Sequence, residues 1–544
     1  MDRNVQLKLF IIGGMVSLSS IFQMGYSNCY VNTAIDGFKS YLNHSLTDRG
    51  QPMTENIYTW LWSAILNVWF IGFAIGSWAA VVITDSLGRK KGLLVGNSLT
   101  LISVAIMVIS IIYEVFEMLI VGRFISALAS GISMSALILF LQEISPTKIR
   151  GSMSFFAELA FVVTNAVGGI AGMSIIFGNN LGMLVGLAVI PAAFSILILL
   201  PLHETPKFLL LKHGNDVGAK DSLRFYMNLT DDECNDYLDK VADESDDTAG
   251  TLKALFSTPH LKKGLILGLV SMQLTTAIWP IIYFSTEFLR RANIDYELSE
   301  SFSSCMLIIS TISTIIGMLI MENFSRRKLF IFVSSINTSA LVLFVICSQL
   351  QPYMDFIKYG CVLAIFFHGV TYSFATGPIA CSINTSALIL FVICSQLQPY
   401  MDFIKYGCVL AIFFHGVTYS FATGPIAWFI TAELLPLEFR ALAQSFALSF
   451  NQITALIFTF VTLPLYNIMS SWSLIPLFII PMILCLIYLQ KNLPETKHRD
   501  IGDIITDLKT GRISTKNENY EMTNSAPEDK MKRLNKDDGQ DFAQ

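Results

Sequence analysis

Fourteen mostly apolar stretches, each long enough to cross a lipid bilayer, run through this chain. They lie near 9–34, 57–84, 92–112, 117–142, 153–177, 180–202, 263–286, 300–321, 329–350, 356–380, 382–398, 403–430, 441–465 and 472–490. A hydrocarbon core of ~30 Å takes about 20 residues at ~1.5 Å rise per residue. Inside it the backbone must satisfy its own hydrogen bonds, so such stretches fold as helices. Only 14% of residues are charged and the mean hydropathy is +0.57; a water-soluble chain carries roughly 25% charged residues. The expected class is an all-α integral membrane protein. The first stretch lacks a short apolar core with a small-residue cleavage site, so it reads as a retained span rather than a signal peptide.

Charge is segregated between the stretches. Arg89-Lys90-Lys91, Lys148 with Arg150, Lys207, Arg326-Arg327-Lys328, Arg440 and Lys497 all follow stretches of one parity. The positive-inside tendency then places both termini and the charged segment 207–262 in the cytoplasm. The segment 35–56 faces outward and holds Asn43-His44-Ser45, an acceptor for N-glycosylation at Asn43. Beyond residue 493 the chain is polar and charged, and a disordered cytoplasmic tail is expected over 493–544.

Two repeats are superimposed. The block 335–380 recurs at 382–427 with one difference, Val342 becoming Ile389. A fainter repeat relates the halves: Asp85 in DSLGRKK matches Glu322 in ENFSRRK, Glu143…Arg150 matches Glu433…Arg440, and HETPK at 203–207 matches LPETK at 493–497. Without the 47-residue offset the spacings of the two halves come close, 58 and 61 residues against 64 and 62, so the block is an insertion into a 6+6 plan. The divisions are a six-helix bundle over 1–206, a helical linker over 207–262, and a second six-helix bundle over 263–492 that contains the duplicated pair. An exon duplication and an error in the gene model both fit so close a copy.

Two six-helix halves around a charged link describe the major facilitator architecture. GRK at 88–90, GRF at 122–124, EISPTKIRG at 143–151, HETPKFLL at 203–210, QLT at 273–275, GPIAWFITAEL at 424–434 and LPETK at 493–497 together resemble the sugar porter family, the animal facilitative glucose transporters in particular. The resemblance covers roughly residues 10–500. It implies a major facilitator fold, alternating access and a sugar as the small-molecule partner, with the plasma membrane as the expected location.

The resemblance also implies where substrate sits. Gln273 and Thr275 offer an amide and a hydroxyl, Trp428 an aromatic face beside a Gly-Pro hinge, and Asn451 a second amide. Ser310 stands where the family has Asn, and Glu158 where it has Gln. Met272, Ile278, Ser420 and Gln452 stand where the family has Gln, Asn, an acid and Trp, respectively. Ser27 follows Gly25-Tyr26 where proton-linked relatives carry Asp, so Arg123 lacks that acid and uncoupled transport is expected. The alternative use of Gln273 and Asn451 is helix–helix hydrogen bonding.

The charged residues Asp85, Arg89, Glu143, Arg150, Glu322, Arg326, Arg327, Glu433 and Arg440 all fall at the cytoplasmic ends of stretches. Pairs formed between the halves would hold the inner face shut and release it as the halves rock; the plainer reading is that they anchor helix ends. No nucleophile–base pair, phosphate-cradling loop or Cys-x-x-Cys spacing occurs. Neither an enzyme nor a cofactor, metal or nucleic-acid partner is expected. The expected function is facilitative uniport of a hexose-like sugar. Alternatives are a non-transporting sensor, an inactive paralogue, or a carrier of another small polar solute such as a polyol or organic anion.

Overall fold

The computed structural model describes residues 3–146, 149–243, 252–291, 294–321, 324–350, 404–496, 499 and 501–510. Twelve spans are recognised among them when the bent pair Arg3–Ser20 and Phe22–Thr33, which meet at 48°, is taken as one. The second to sixth are Glu55–Ser86, Arg89–Ile112, Phe116–Ile144, Arg150–Ala171 and Leu181–Leu199. The seventh is discontinuous, Pro259–Gln273 then Ile278–Arg291; the eighth is Tyr296–Met321 and the ninth Arg326–Leu350. The tenth runs from Ile404 to Glu433 through a π-helical turn at Tyr419–Thr423, followed by Leu437–Met469 and Ser470–Asn492.

Outward-facing side chains agree with a bilayer. Ile190, Leu197, Leu319 and Leu484 are all more than 60% exposed. Water would penalise that surface, whereas lipid tails accept it. The two bundles meet along the first and seventh spans, the fifth with the eighth and tenth, and the second with the eleventh. Small residues permit the close approach: a Cβ on Gly169 of the fifth span would sit 2.7 Å from Leu307 of the eighth.

The link between halves forms the helices Pro206–His213, Asp216–Met227, Asp231–Asp243 and Leu252–Ser257. Asn215 caps the second of these by accepting from the Gly218 N–H at 2.9 Å. The first two pack on the N-terminal bundle, the third on those two, and the last on the C-terminal bundle.

Two expectations are refined. Within the tail, Ile501–Thr510 is a helix packed against Pro259–Gln273, with Ile504 and Leu508 buried. Its apolar residues 501, 504, 505 and 508 fall on one helical face, a local periodicity that the polar composition of the tail conceals. The remainder, 511–544, lies outside the described residues.

The second refinement concerns the tandem block. The ninth span is built on the first copy and the tenth on the second. Asn337 donates to the His415 carbonyl at 2.8 Å and to the Thr418 hydroxyl at 3.1 Å, and Ser334 meets Thr423 at 3.0 Å. Only the first copy follows the Arg326-Arg327-Lys328 flank, and only the second continues into Trp428 and Glu433. Contacts of those flanks therefore select one half of each copy. The expected spans 356–380 and 382–398 lie outside the described residues.

Candidate functional site

Polar groups converge where the halves meet. Glu158, midway along the fifth span, is 1% exposed and neither carboxyl oxygen has a hydrogen-bond partner among the described residues. Its Oε1 lies 2.7 Å from where a Gly424 Cβ would stand, so only glycine lets the hinge of the tenth span close over it. Tyr419, in the π turn, is buried beside both Glu158 and Trp428. The Tyr419 hydroxyl and Trp428 Nε1 lie beside one another and beside Glu158, with no well-formed hydrogen bond to either among the described residues. Phe161, one turn beyond Glu158, packs on Trp428 and Trp279 with ring centroids 6.5 and 6.0 Å apart.

The other expected residues divide between roles. Asn451 donates to the Met272 carbonyl at 2.7 Å and to the Thr275 hydroxyl at 3.4 Å, tying the eleventh span to the seventh. Thr275 in turn donates to the Met272 carbonyl at 2.7 Å. These two serve helix–helix bonding in this conformation. Gln273 ends the first segment of the seventh span; its Oε1 accepts from Thr276 at 3.3 Å, and its Nε2 is buried without a partner among the described residues. Gln452 Oε1 is unpartnered in the same sense. Ser310 faces Gly416 of the tenth span, its Oγ 2.7 Å from where a Cβ would stand there. Arg123 donates to the carbonyls of Ile65 at 2.9 Å and Ser27 at 3.3 Å. Tyr419, Phe161 and Trp279 escaped the sequence reading because aromatic residues are common in spans; buried position beside the hinge distinguishes them.

The face opposite the basic clusters is closed by a polar seam. Asn32 donates to Ser285 at 2.9 Å, Tyr283 to Asn28 at 3.0 Å, and Ser174 to Glu300 at 3.1 Å. Each joins one bundle to the other. Asn43 is exposed on the helix Ile35–Thr47 near this face.

On the basic face Arg89 with Glu143 and Arg326 with Glu433 pair within each bundle; the opposite face is closed here, the state in which pairs between bundles would be released. Arg89 binds Glu143 at 3.0 Å, and Thr205 donates to the same carboxylate at 2.6 Å. Glu204 accepts from the backbone N–H groups of Arg89 and Lys90, both at 3.0 Å, and so caps the third span. The second bundle repeats the pattern: Arg326 pairs with Glu433, Thr496 donates to Glu433 at 2.8 Å, and Glu495 accepts from the Arg326 N–H at 3.0 Å. The reason is local: each Glu–Thr pair after the last span returns to cap the third span of its own half. Arg327 donates to the Gln490 carbonyl at 2.7 Å and Arg440 to that of Leu435 at 3.1 Å. Asp85 and Arg150 make no ion pair among the described residues, and Glu322 lies outside them.

Two pseudo-equivalent six-helix bundles with a discontinuous seventh span and a buried polar centre define a major facilitator transporter. Comparison with known proteins carries this to a family: the model for "Sugar (and other) transporter" matches residues 13–388 and again 381–508. The chain belongs to that family. The two matches overlap inside the tandem block, as a duplicated segment requires. The chain is 27% identical over 381 residues to solute carrier family 2, facilitated glucose transporter member 1, of Gallus gallus, covering 68% of this chain and 76% of the relative. It is 25% identical over 389 residues to member 7 of Mus musculus, covering 70% and 75%. In structure it is similar to the proton:xylose symporter XylE bound to 6-bromo-6-deoxy-D-glucose, with a TM-score of 0.68 at 15% identity, covering 92% and 98%. It is a multi-pass membrane protein of the sugar-transporter class, homologous to transporters rather than enzymes.

Proposed function

We propose that the protein is a facilitative uniporter of a hexose-like sugar, working by alternating access, with both termini cytoplasmic, Asn43 glycosylated and the plasma membrane as its site. The observation that carries this is the set of buried, unpartnered polar atoms on both bundles: Glu158 on one, and Gln273, Tyr419, Trp428 and Gln452 on the other. Buried polar groups without partners are costly, and a polyhydroxylated ring has donors and acceptors to satisfy them. Each hydrogen bond contributes a net ~0.5–1.5 kcal/mol. Asn451, Thr275 and Ser310 complete the site when the seventh span shifts.

Uncoupled transport is supported by Ser27 in place of an acid beside Arg123. The closed polar seam on the outer face and the capped networks on the inner face are the elements that rocking would break and preserve, respectively. The intra-bundle pairs Arg89–Glu143 and Arg326–Glu433 hold each half rigid as it moves. The inserted block favours a second reading, a non-transporting sensor or inactive paralogue. Uptake of radiolabelled hexoses in a transport-deficient host tests both. Hexose flux with the full chain supports the uniporter; sugar binding without flux overturns it in favour of the sensor.

A further inference from the structure

Glu158 is the one acid among the unpartnered groups of this centre, and the surroundings give it no positive partner. Tyr419 is the only titratable side chain acting on it among the described residues. Arg150 is eight residues away on the same helix, about 12 Å along its axis. Arg123 is directed to the carbonyls of Ile65 and Ser27. What surrounds the carboxyl instead is aromatic: Tyr419 and Phe161 beside it, with Trp428 and Trp279 packed on Phe161. A buried carboxyl either stays protonated or takes a counter-charge, and aromatic faces attract a cation that has shed water. A neutral hexose brings no such charge.

We propose that the preferred substrate carries a protonated amine on a hexose ring, as a 2-amino-2-deoxyhexose does. This rests on the transport reading above and names the substrate of that site. The ammonium pairs with the Glu158 carboxylate and lies against the aromatic rings, while the ring hydroxyls meet Gln273 Nε2, Trp428 Nε1 and Gln452 Oε1. N-acetylation removes the charge and adds bulk at the same atom.

The test uses the full chain in proteoliposomes at neutral pH, where the amine is largely protonated. Uptake of glucosamine, N-acetylglucosamine and glucose is measured beside quenching of intrinsic tryptophan fluorescence by each sugar. The expected result is about tenfold or greater preference for glucosamine over both others, the scale of a hydrogen bond to a charged group. Glu158→Gln abolishes that preference and Glu158→Asp restores part of it. Equal affinity for the three sugars, or a preference that survives Glu158→Gln, overturns the proposal. If glucosamine quenches in a Glu158-dependent way but no sugar crosses, the transport reading fails and this one stands. If hexoses cross without amine preference, the reverse holds.

Discussion

Removal of residues 351–397 joins Leu350 directly to Gln398, and the six residues 398–403 that remain repeat the sequence of 351–356, QPYMDF. The bond set between the ninth and tenth spans is untouched. Asn337 keeps its 2.8 Å bond to the His415 carbonyl, and Ser334 its 3.0 Å contact with Thr423. Arg326 keeps Glu433. Six extended residues reach about 20 Å, twice the separation of packed helices, which is ~8–10 Å. Loop closure costs about 1.5RT ln n, so were 351–403 a plain connection, shortening it from 53 residues to six would be worth at most about 2 kcal/mol in favour of the shortened chain. The expected outcome is unchanged or raised thermal stability in detergent and undiminished sugar uptake. A lowered unfolding temperature, or loss of the protein from the membrane, would show that 351–403 contributes packing to the bundle, and would refute the division of labour between the copies.

Three further outcomes follow from the networks on the basic face. Gly88 has φ +106° and a Cβ there would stand 2.3 Å from Glu204 Oε2, so Gly88→Ala should destabilise by about 2–4 kcal/mol through backbone strain and a displaced cap; an unchanged melting curve would contradict this. Glu143→Gln leaves the buried Arg89 unpaired and should cost about 3–5 kcal/mol, while Glu143→Gln combined with Arg89→Met recovers most of it, as a double-mutant cycle would read. Burial pushes the Glu204 carboxyl above its ordinary range, with backbone hydrogen bonds from Lys90 and Thr205 pulling the other way. A raised acid stabilises the fold below its unfolded value, about 4.3, and that stability is lost as pH climbs through the folded value. Thermal unfolding across that window should therefore fall more steeply for the native chain than for Glu204→Gln, and parallel curves would count against it.

Much of the architecture was legible because lipid leaves a helix few alternatives. Span length, the parity of the basic clusters and the matched spacings of Glu143 and Glu433 follow from hydrocarbon thickness and charge. Sequence order locates Glu143, Arg89, Glu433 and Arg326 at one face but does not say which of them pair inside one bundle, as Arg89 with Glu143 and Arg326 with Glu433 do here. The tail helix at Ile501–Thr510 was missed because its four apolar residues are diluted by charge. At the centre, Glu158 and Trp428 stood out as polar or amphipathic groups in spans, whereas Tyr419, Phe161 and Trp279 look like any buried aromatic until the hinge is seen closing on them.

The sequence by itself determined that the chain is a helical membrane protein with two related halves, since burial in hydrocarbon and the repeat of cytoplasmic signatures are properties of residue order. Only the tertiary structure decided which copy of the tandem block supplies each span, that the charged pairs lie within bundles, and that Glu158 sits without a counter-charge among aromatic rings. Those outcomes depend on which faces meet, and two identical segments differ only in the neighbours their flanks bring with them.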